Sequence, residues 1–215
     1  MSKTMNEQLI SQINQAATPE EAITAITAIA VSDTPEINSI NAVITALSHH
    51  HPMVKNAALE ALVKLGNVAV KPLIAAYETS RDQGLQAYII QALAQIGSTE
   101  AMDLLAEVLG TTVANHCQGN VRRIAARGLG KIASNSQDAE VIGCAQEKLI
   151  WALVSPEDWG LRYAAAVSLQ EIATPTAKAA LQTAIAQEAD TVVRSRITLA
   201  LESGKTNKLP MTYDR

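Results

Sequence analysis

Five stretches of this 215-residue chain repeat one pattern, and that repetition constrains the fold more than any single motif does. They are HPMVKNAALEALVKLG from His51, GLQAYIIQALAQIG from Gly84, GNVRRIAARGLGKIA from Gly119, WGLRYAAAVSLQEIA from Trp159 and DTVVRSRITLALES from Asp190. In each, an aliphatic residue (Val54, Leu85, Val121, Leu161, Val193) precedes a polar one (Lys55, Gln86, Arg122, Arg162, Arg194). Small and apolar residues follow at helical spacing. The aliphatic positions stand 31, 36, 40 and 32 residues apart. A unit of that length cannot bury its apolar face alone, so it must stack on its neighbours.

Between the five stretches lie partner segments of similar length, at roughly 37–48, 68–79, 99–109, 138–154 and 176–188. Helix starts are marked by Thr18-Pro19-Glu20-Glu21, Asp33-Thr34-Pro35-Glu36 and Thr174-Pro175, each a capping hydroxyl or carboxylate followed by proline. Gly66 and Gly97 sit where helices should stop. The pattern resembles HEAT-type repeats and predicts an all-α chain, an α-solenoid of helical hairpins wound into a right-handed superhelix. Residues 1–203 form one domain in this reading, with 1–31 as a capping helix pair, 32–203 as about five repeats and 204–215 as a polar tail. The five aligned helices are expected to line the concave face, so the architecture is first of all a recognition surface.

Composition agrees with close helix packing. Alanine occurs 37 times, phenylalanine is absent and aromatics are 3% of the chain, a balance that disfavours sandwiches and barrels. Ala58, Ala125 and Ala165 are placed to let neighbouring helices approach. The formal net charge of -4 argues against general attraction to nucleic acid. No apolar run has the length needed to span a bilayer, so no membrane insertion is expected. The first residues lack a basic segment followed by an apolar core, and two cysteines, Cys117 and Cys144, do not make a disulfide framework; a reducing cytoplasm is expected.

The longest interval singles out Gly110 to Gly119, expected as a turn of about ten residues. An enlarged turn in a solenoid is where function is commonly placed. It holds His116 and Cys117 among Asn115, Gln118, Gly119 and Asn120, with Arg122, Arg123 and Arg127 following. A thiol at a helix N-terminus beside guanidinium groups ionises more readily, because the helix dipole and the cations stabilise the thiolate. An adjacent imidazole moves protons near neutral pH. For a His-Cys pair taken alone, simple decoration of a turn is the commoner reading.

The repeats, the segment Trp159-Gly160-Leu161-Arg162-Tyr163-Ala164-Ala165 and the hexapeptide Asn115-His116-Cys117-Gln118-Gly119-Asn120 together resemble the F-type subunits of heterodimeric E/F phycobilin lyases, a branch of the lyase-type HEAT proteins. The hexapeptide is the sharper signal and points to the isomerising, phycoerythrocyanin branch, with the phycocyanin branch as the alternative. The resemblance implies a lyase that works with an E-type partner and joins phycocyanobilin to a cysteine of an apo phycobiliprotein α subunit through a thioether. In the isomerising branch the bound product is phycoviolobilin. Phycocyanobilin is then a substrate, and no permanent cofactor or metal is implied.

Under that resemblance His116 is the acid/base group and Cys117 a transient nucleophile toward the chromophore. The bilin carries two propionates, which guanidinium groups clamp well. Six of the eight arginines, Arg122, Arg123, Arg127, Arg162, Arg194 and Arg196, fall on the last three aligned helices, as a ligand stripe or as a structural ladder. Trp159 and Tyr163 share a helical face and are placed to stack on pyrrole rings; Asp158 is a pyrrole ligand or a helix cap, and Tyr88 a groove or core residue. A non-catalytic adaptor of the same architecture is the competing function. His49-His50-His51 reads as a solvated turn, and Cys144, in VIGCAQEKLIWALV, as a buried small hydrophobe.

Overall fold

Alternation of short capping signals with alanine-rich apolar stripes produces twelve α-helices among the described residues and no strand. A computed structural model describes the backbone of residues 3–32, 34–111, 116–155 and 158–203; the side chains of 3, 4, 116–118 and 203 are outside that description. The helices are α1 (Lys3–Gln15), α2 (Pro19–Ala30), α3 (Ile37–Ala46), α4 (Pro52–Leu65), α5 (Asn67–Thr79) and α6 (Gln83–Ile96). They continue as α7 (Met102–Gly110), α8 (His116–Asn135), α9 (Ala139–Leu153), α10 (Trp159–Ile172), α11 (Pro175–Gln187) and α12 (Thr191–Ser203), with a single 3₁₀ turn, Thr99–Ala101, ahead of α7. The five repeated stretches are α4, α6, α8, α10 and α12. The segments between them are α3, α5, α7, α9 and α11, and α1 with α2 occupies the N-terminal segment.

Helix ends follow the local chemistry. Thr18 Oγ1 accepts from the Glu21 amide at 3.3 Å, and the Glu21 carboxylate accepts from the Ala17 amide at 2.9 Å, a reciprocal cap shifted by one residue. Aspartates start three of the repeated helices: Asp82 caps α6, Asp158 caps α10 and Asp190 caps α12 through amides two or three residues on. Thr174 caps α11 in the same way. Gly66 and Gly97 end α4 and α6 with φ of 64° and 74°, values that a side chain would strain. Ala173, ending α10 at φ 55°, adopts a left-handed conformation despite its Cβ.

The chain forms two compact units, residues 1–104 and 105–215. In the first, α2 packs on α4 and α4 on α6, while α1, α3 and α5 cover them from the partner positions. Its core includes Ile26, Ile29, Leu47, Leu62, Leu73 and Leu93. In the second, α10 lies between α8 and α12, with α9 against α8 and α10 and α11 against α10 and α12. Its core includes Leu129, Ile132, Leu149, Leu161, Leu169 and Ile197. Ala58, Ala125 and Ala165 are fully buried, as their role in close helix approach requires. Of the repeated aliphatic positions, Val54, Leu161 and Val193 are fully buried, whereas Leu85 and Val121 are only half-buried.

Two expectations are corrected. The connection after α7 is not a ten-residue turn, because Gly110 closes α7 and residues 116–119 belong to α8, which begins at His116. The amide and dipole end of α8 therefore lies within the His-Cys motif itself. Cys144 is exposed. Helix α9 buries Ala145, Leu149, Ala152 and Leu153, and Cys144 stands about 100° off that stripe, facing solvent.

Candidate functional site

The side-by-side packing of α8, α10 and α12 leaves a groove in the second unit. Helices touch where residues are small: Gly130 of α8 meets Ser168 of α10 so closely that a Cβ on Gly130 would stand 2.4 Å from Ser168 Cβ. Toward the N-terminal ends of α8 and α10 larger side chains hold the surfaces apart. There Arg123, Arg127, Trp159, Gly160, Tyr163, Ala164, Val167 and Val192 line a cavity of about 650 Å³, within the size range of small-molecule sites. A second cavity of about 360 Å³ shares Tyr163 and Val192 and continues along α12 past Ser195, Arg196 and Leu199.

Trp159 and Tyr163 project from one face of α10, 51% and 38% exposed, and with Trp151 of α9 they are the exposed large aromatics among the described residues. They give the groove its apolar wall. Arg123 supplies the polar one. Its Nη2 donates to Asp158 Oδ1 at 2.7 Å, its Nε donates to the same carboxylate at 3.2 and 3.3 Å, and its guanidinium lies 5.8 Å over the Trp159 ring. Asp158 is buried and also accepts from the Leu161 amide at 3.0 Å. Burial pushes its carboxyl up, but hydrogen bonds from Arg123, Leu161 and Gly160 and the Arg123 charge outweigh that and leave it below its ordinary value. Asp158 is thus a helix cap and an ion-pair partner at once.

The remaining arginines of the expected stripe divide. Arg127 lines the groove and is held by Glu171, with Nη2 to Oε1 at 2.6 Å, and by Ser168 Oγ at 2.9 Å. Arg122 is buried, donates from Nε to the Leu109 carbonyl at 2.8 Å and lies over Trp151, away from the groove lining. Arg162 donates to both Glu188 oxygens, at 2.8 and 3.1 Å, and to the Ser155 carbonyl at 3.0 Å. The hydrogen bond from Arg162 holds the Glu188 carboxyl below its ordinary value, against the opposing effect of burial. Arg194 donates to the Glu188 carbonyl and Arg196 to Gln170. Arg122, Arg162 and Arg194 therefore tie successive helices together, the structural role that the sequence leaves open beside ligand binding for Arg122 and Arg162. Their partners lie 13 and 26 residues away, beyond what local spacing reveals.

The motif residues are placed by their backbone. His116 and Cys117 open α8, and Gly119 and Asn120 follow in its first turns, Gly119 buried and Asn120 exposed. Asn115 and the side chains of His116, Cys117 and Gln118 lie outside the described residues, as do Asp33 and the 204–215 tail. Seven residues are close to two helical turns, so position 116 stands about 10.5 Å along α8 from position 123 and on the same face, with positions 120 and 127 in register. Tyr88 belongs to the first unit, half-buried, with Lys55 Nζ 5.5 Å over its ring. The histidine turn closes on itself: His49 Nδ1 accepts from the His51 amide at 3.0 Å, and the His49 and His50 rings lie 4.1 Å apart. Gly160 is a site residue that sequence inspection does not reveal, because its contribution is the side chain it lacks.

Known proteins place this geometry in a family. The model for HEAT repeats matches residues 6–87, 70–146 and 113–202. Bilin biosynthesis protein PecF of Nostoc sp. strain PCC 7120 is 69% identical over 77% of this chain and 95% of its own length, and PecF of Mastigocladus laminosus is 62% identical over 93% and 95%. The phycocyanobilin lyase subunit beta of the same Nostoc strain is 31% identical over 91% of this chain and 98% of its own. Among solved structures, the complex of CpcE and CpcF of phycocyanin lyase from Nostoc sp. PCC7120 contains a chain that superposes with a TM-score of 0.66 at 30% identity, covering 77% of this chain and 99% of that one. With HEAT repeats along nearly its whole length and such identity to PecF, the chain belongs to the HEAT-repeat bilin lyase family of PecF and the phycocyanobilin lyase subunits.

Proposed function

We propose that this protein is the F-type subunit of a heterodimeric lyase that attaches phycocyanobilin to a cysteine of a phycobiliprotein α subunit and isomerises it to phycoviolobilin. The observation that carries the reading is the groove between α8, α10 and α12, with exposed aromatic surface on one wall, arginines on the other, and position 116, the first residue of α8 and of the His-Cys pair, about two turns from Arg123 in register along the same helix. The names of the relatives, bilin biosynthesis protein and phycocyanobilin lyase subunit, support the substrate class. The complex of CpcE with CpcF supports an E-type partner.

In this reading the groove holds the open-chain tetrapyrrole with pyrrole rings against Trp159 and Tyr163. The sulfur of the acceptor cysteine bonds to the exocyclic ethylidene carbon of ring A while a proton adds to the conjugated system. Isomerisation moves a double bond from the bridge between rings A and B into ring A, so one carbon loses a proton and another gains one. No oxidant or permanent cofactor enters the balance. His116, near the amide end of α8, exchanges those protons, and Cys117, favoured as a thiolate by the same helix end, adds to and leaves the chromophore. Among the described residues no helix is long and apolar enough to cross a membrane, and we place the reaction in the cytoplasm.

The test is reconstitution of the chain with an E-type partner, phycocyanobilin and an apo α subunit. Cys117→Ser is expected to remove isomerisation while partner binding persists. A Cys117→Ser product with an unchanged spectrum refutes the role of the motif. Complete indifference of free bilin absorption to the heterodimer makes the protein an adaptor instead of a lyase.

A further inference from the structure

Two arginines line the larger cavity, and their hydrogen bonds leave them unequal. Arg127 commits both terminal nitrogens, Nη1 to Ser168 and Glu171 and Nη2 to Glu171. Arg123 commits Nε and Nη2 to Asp158, and among the described residues its Nη1 has no hydrogen-bond partner. That nitrogen lies across the first turn of α10, on top of Gly160. A Cβ at Gly160 would stand 2.4 Å from Arg123 Cζ, 2.5 Å from Nε and 2.9 Å from Nη1, so the absence of a side chain there is what lets the guanidinium lie flat against the helix. The Asp158 carboxylate fixes it by hydrogen bonds, and it lies over the Trp159 ring, 5.8 Å from the ring centre. A guanidinium held in one orientation with a free donor edge is prepared to accept a carboxylate, since little side-chain freedom is left to lose on binding.

Resting on the reading of this groove as the bilin site, we infer that Arg123, and not Arg127, receives one propionate carboxylate of the tetrapyrrole through Nη1, and that Gly160 and Asp158 are the positioning residues that aim it. Arg127 shapes the wall. The ligand class is an open-chain tetrapyrrole bearing a free carboxylate, and esterification of the propionates removes what Arg123 recognises.

The experiment titrates the heterodimer with phycocyanobilin and with its dimethyl ester, following bilin absorption. The wild type is expected to bind the free acid about tenfold more tightly, the size of one charge-assisted hydrogen bond. Arg123→Gln abolishes the preference. Gly160→Ala, which displaces the guanidinium without removing it, cuts the preference to less than about twofold while the melting temperature holds. Arg127→Gln keeps it. Retention of the acid preference in Gly160→Ala or Arg123→Gln overturns the inference, as does its loss in Arg127→Gln. Equal binding of acid and ester by the wild type overturns this inference alone. No change in bilin absorption with either compound overturns the bilin reading of the groove as well.

Discussion

Replacing Gly130 by alanine sets helix propensity against packing, and the structure says which wins. Alanine is favoured over glycine in a helix interior by about 1 kcal/mol, so on an isolated α8 the change stabilises. In the folded chain the new Cβ stands 2.4 Å from both Cβ and Oγ of Ser168 and 3.0 Å from its Cα, about 1 Å short of ordinary contact at the nearest atoms. Part of that contact is backbone, so rotation of a side chain does not relieve it, and α8 must move off α10. Overpacking of this kind costs about 1–3 kcal/mol. The same shift stretches Ser168 Oγ from the Ala126 carbonyl, now 3.0 Å away, and from Arg127 Nη1, now 2.9 Å away, each worth about 1 kcal/mol. The net expectation is a loss of about 2 kcal/mol, which in a chain of this size lowers Tm by about 4–8 °C. Thermal unfolding followed by helical circular dichroism measures it. In a Ser168→Gly background the same substitution should cost at least 1 kcal/mol less, because the opposing Cβ and Oγ are gone. A Gly130→Ala protein as stable as wild type, or an equal cost in both backgrounds, refutes the argument that α8 and α10 are held at this spacing by small residues.

Other expectations are checked by similar means. Removing the carboxylate in Glu188→Ala leaves Arg162 without its bidentate partner in a mostly buried setting, and chemical denaturation should show a loss of roughly 3 kcal/mol. Asp158 and Glu188 carboxyls lie below their ordinary values of 3.8 and 4.5, so their contribution to stability is complete above those values and is lost as pH falls through the lower folded-state values. Acid unfolding of Glu188→Gln should accordingly show a shallower pH dependence below about pH 4.5. Ala173→Gly relieves the left-handed conformation at the end of α10 and should raise stability by up to about 1 kcal/mol, read from a denaturant midpoint. Cys144 is exposed and should react with a thiol reagent in the native protein, while Cys144→Ser leaves the reconstituted product unchanged.

Much of the scaffold was legible in the sequence because its determinants are local. The spacing of aliphatic residues placed α4, α6, α8, α10 and α12. Thr18 and Thr174 marked helix starts and Gly66 and Gly97 marked ends, since a cap or a positive φ depends on residues within one turn. What escaped depends on distant contacts. The carboxylates that hold Arg123, Arg127 and Arg162 lie 35, 44 and 26 residues away, so no spacing rule separates ladder from ligand. The glycine in the hexapeptide read as a turn signal, yet α8 extends through Gly119, where it is buried. Cys144 sits one residue from a buried position, and a difference of about 100° around α9 reverses its exposure. Gly160 carried no chemical signature at all, and only the guanidinium lying on it shows why a side chain is excluded there.

The central claim is tested most directly by the absorption spectrum of denatured α subunit after reconstitution with phycocyanobilin, the E-type partner and this protein. The account predicts a covalent phycoviolobilin spectrum that disappears when this chain is omitted. A covalent phycocyanobilin spectrum, or the same product with and without this chain, contradicts it.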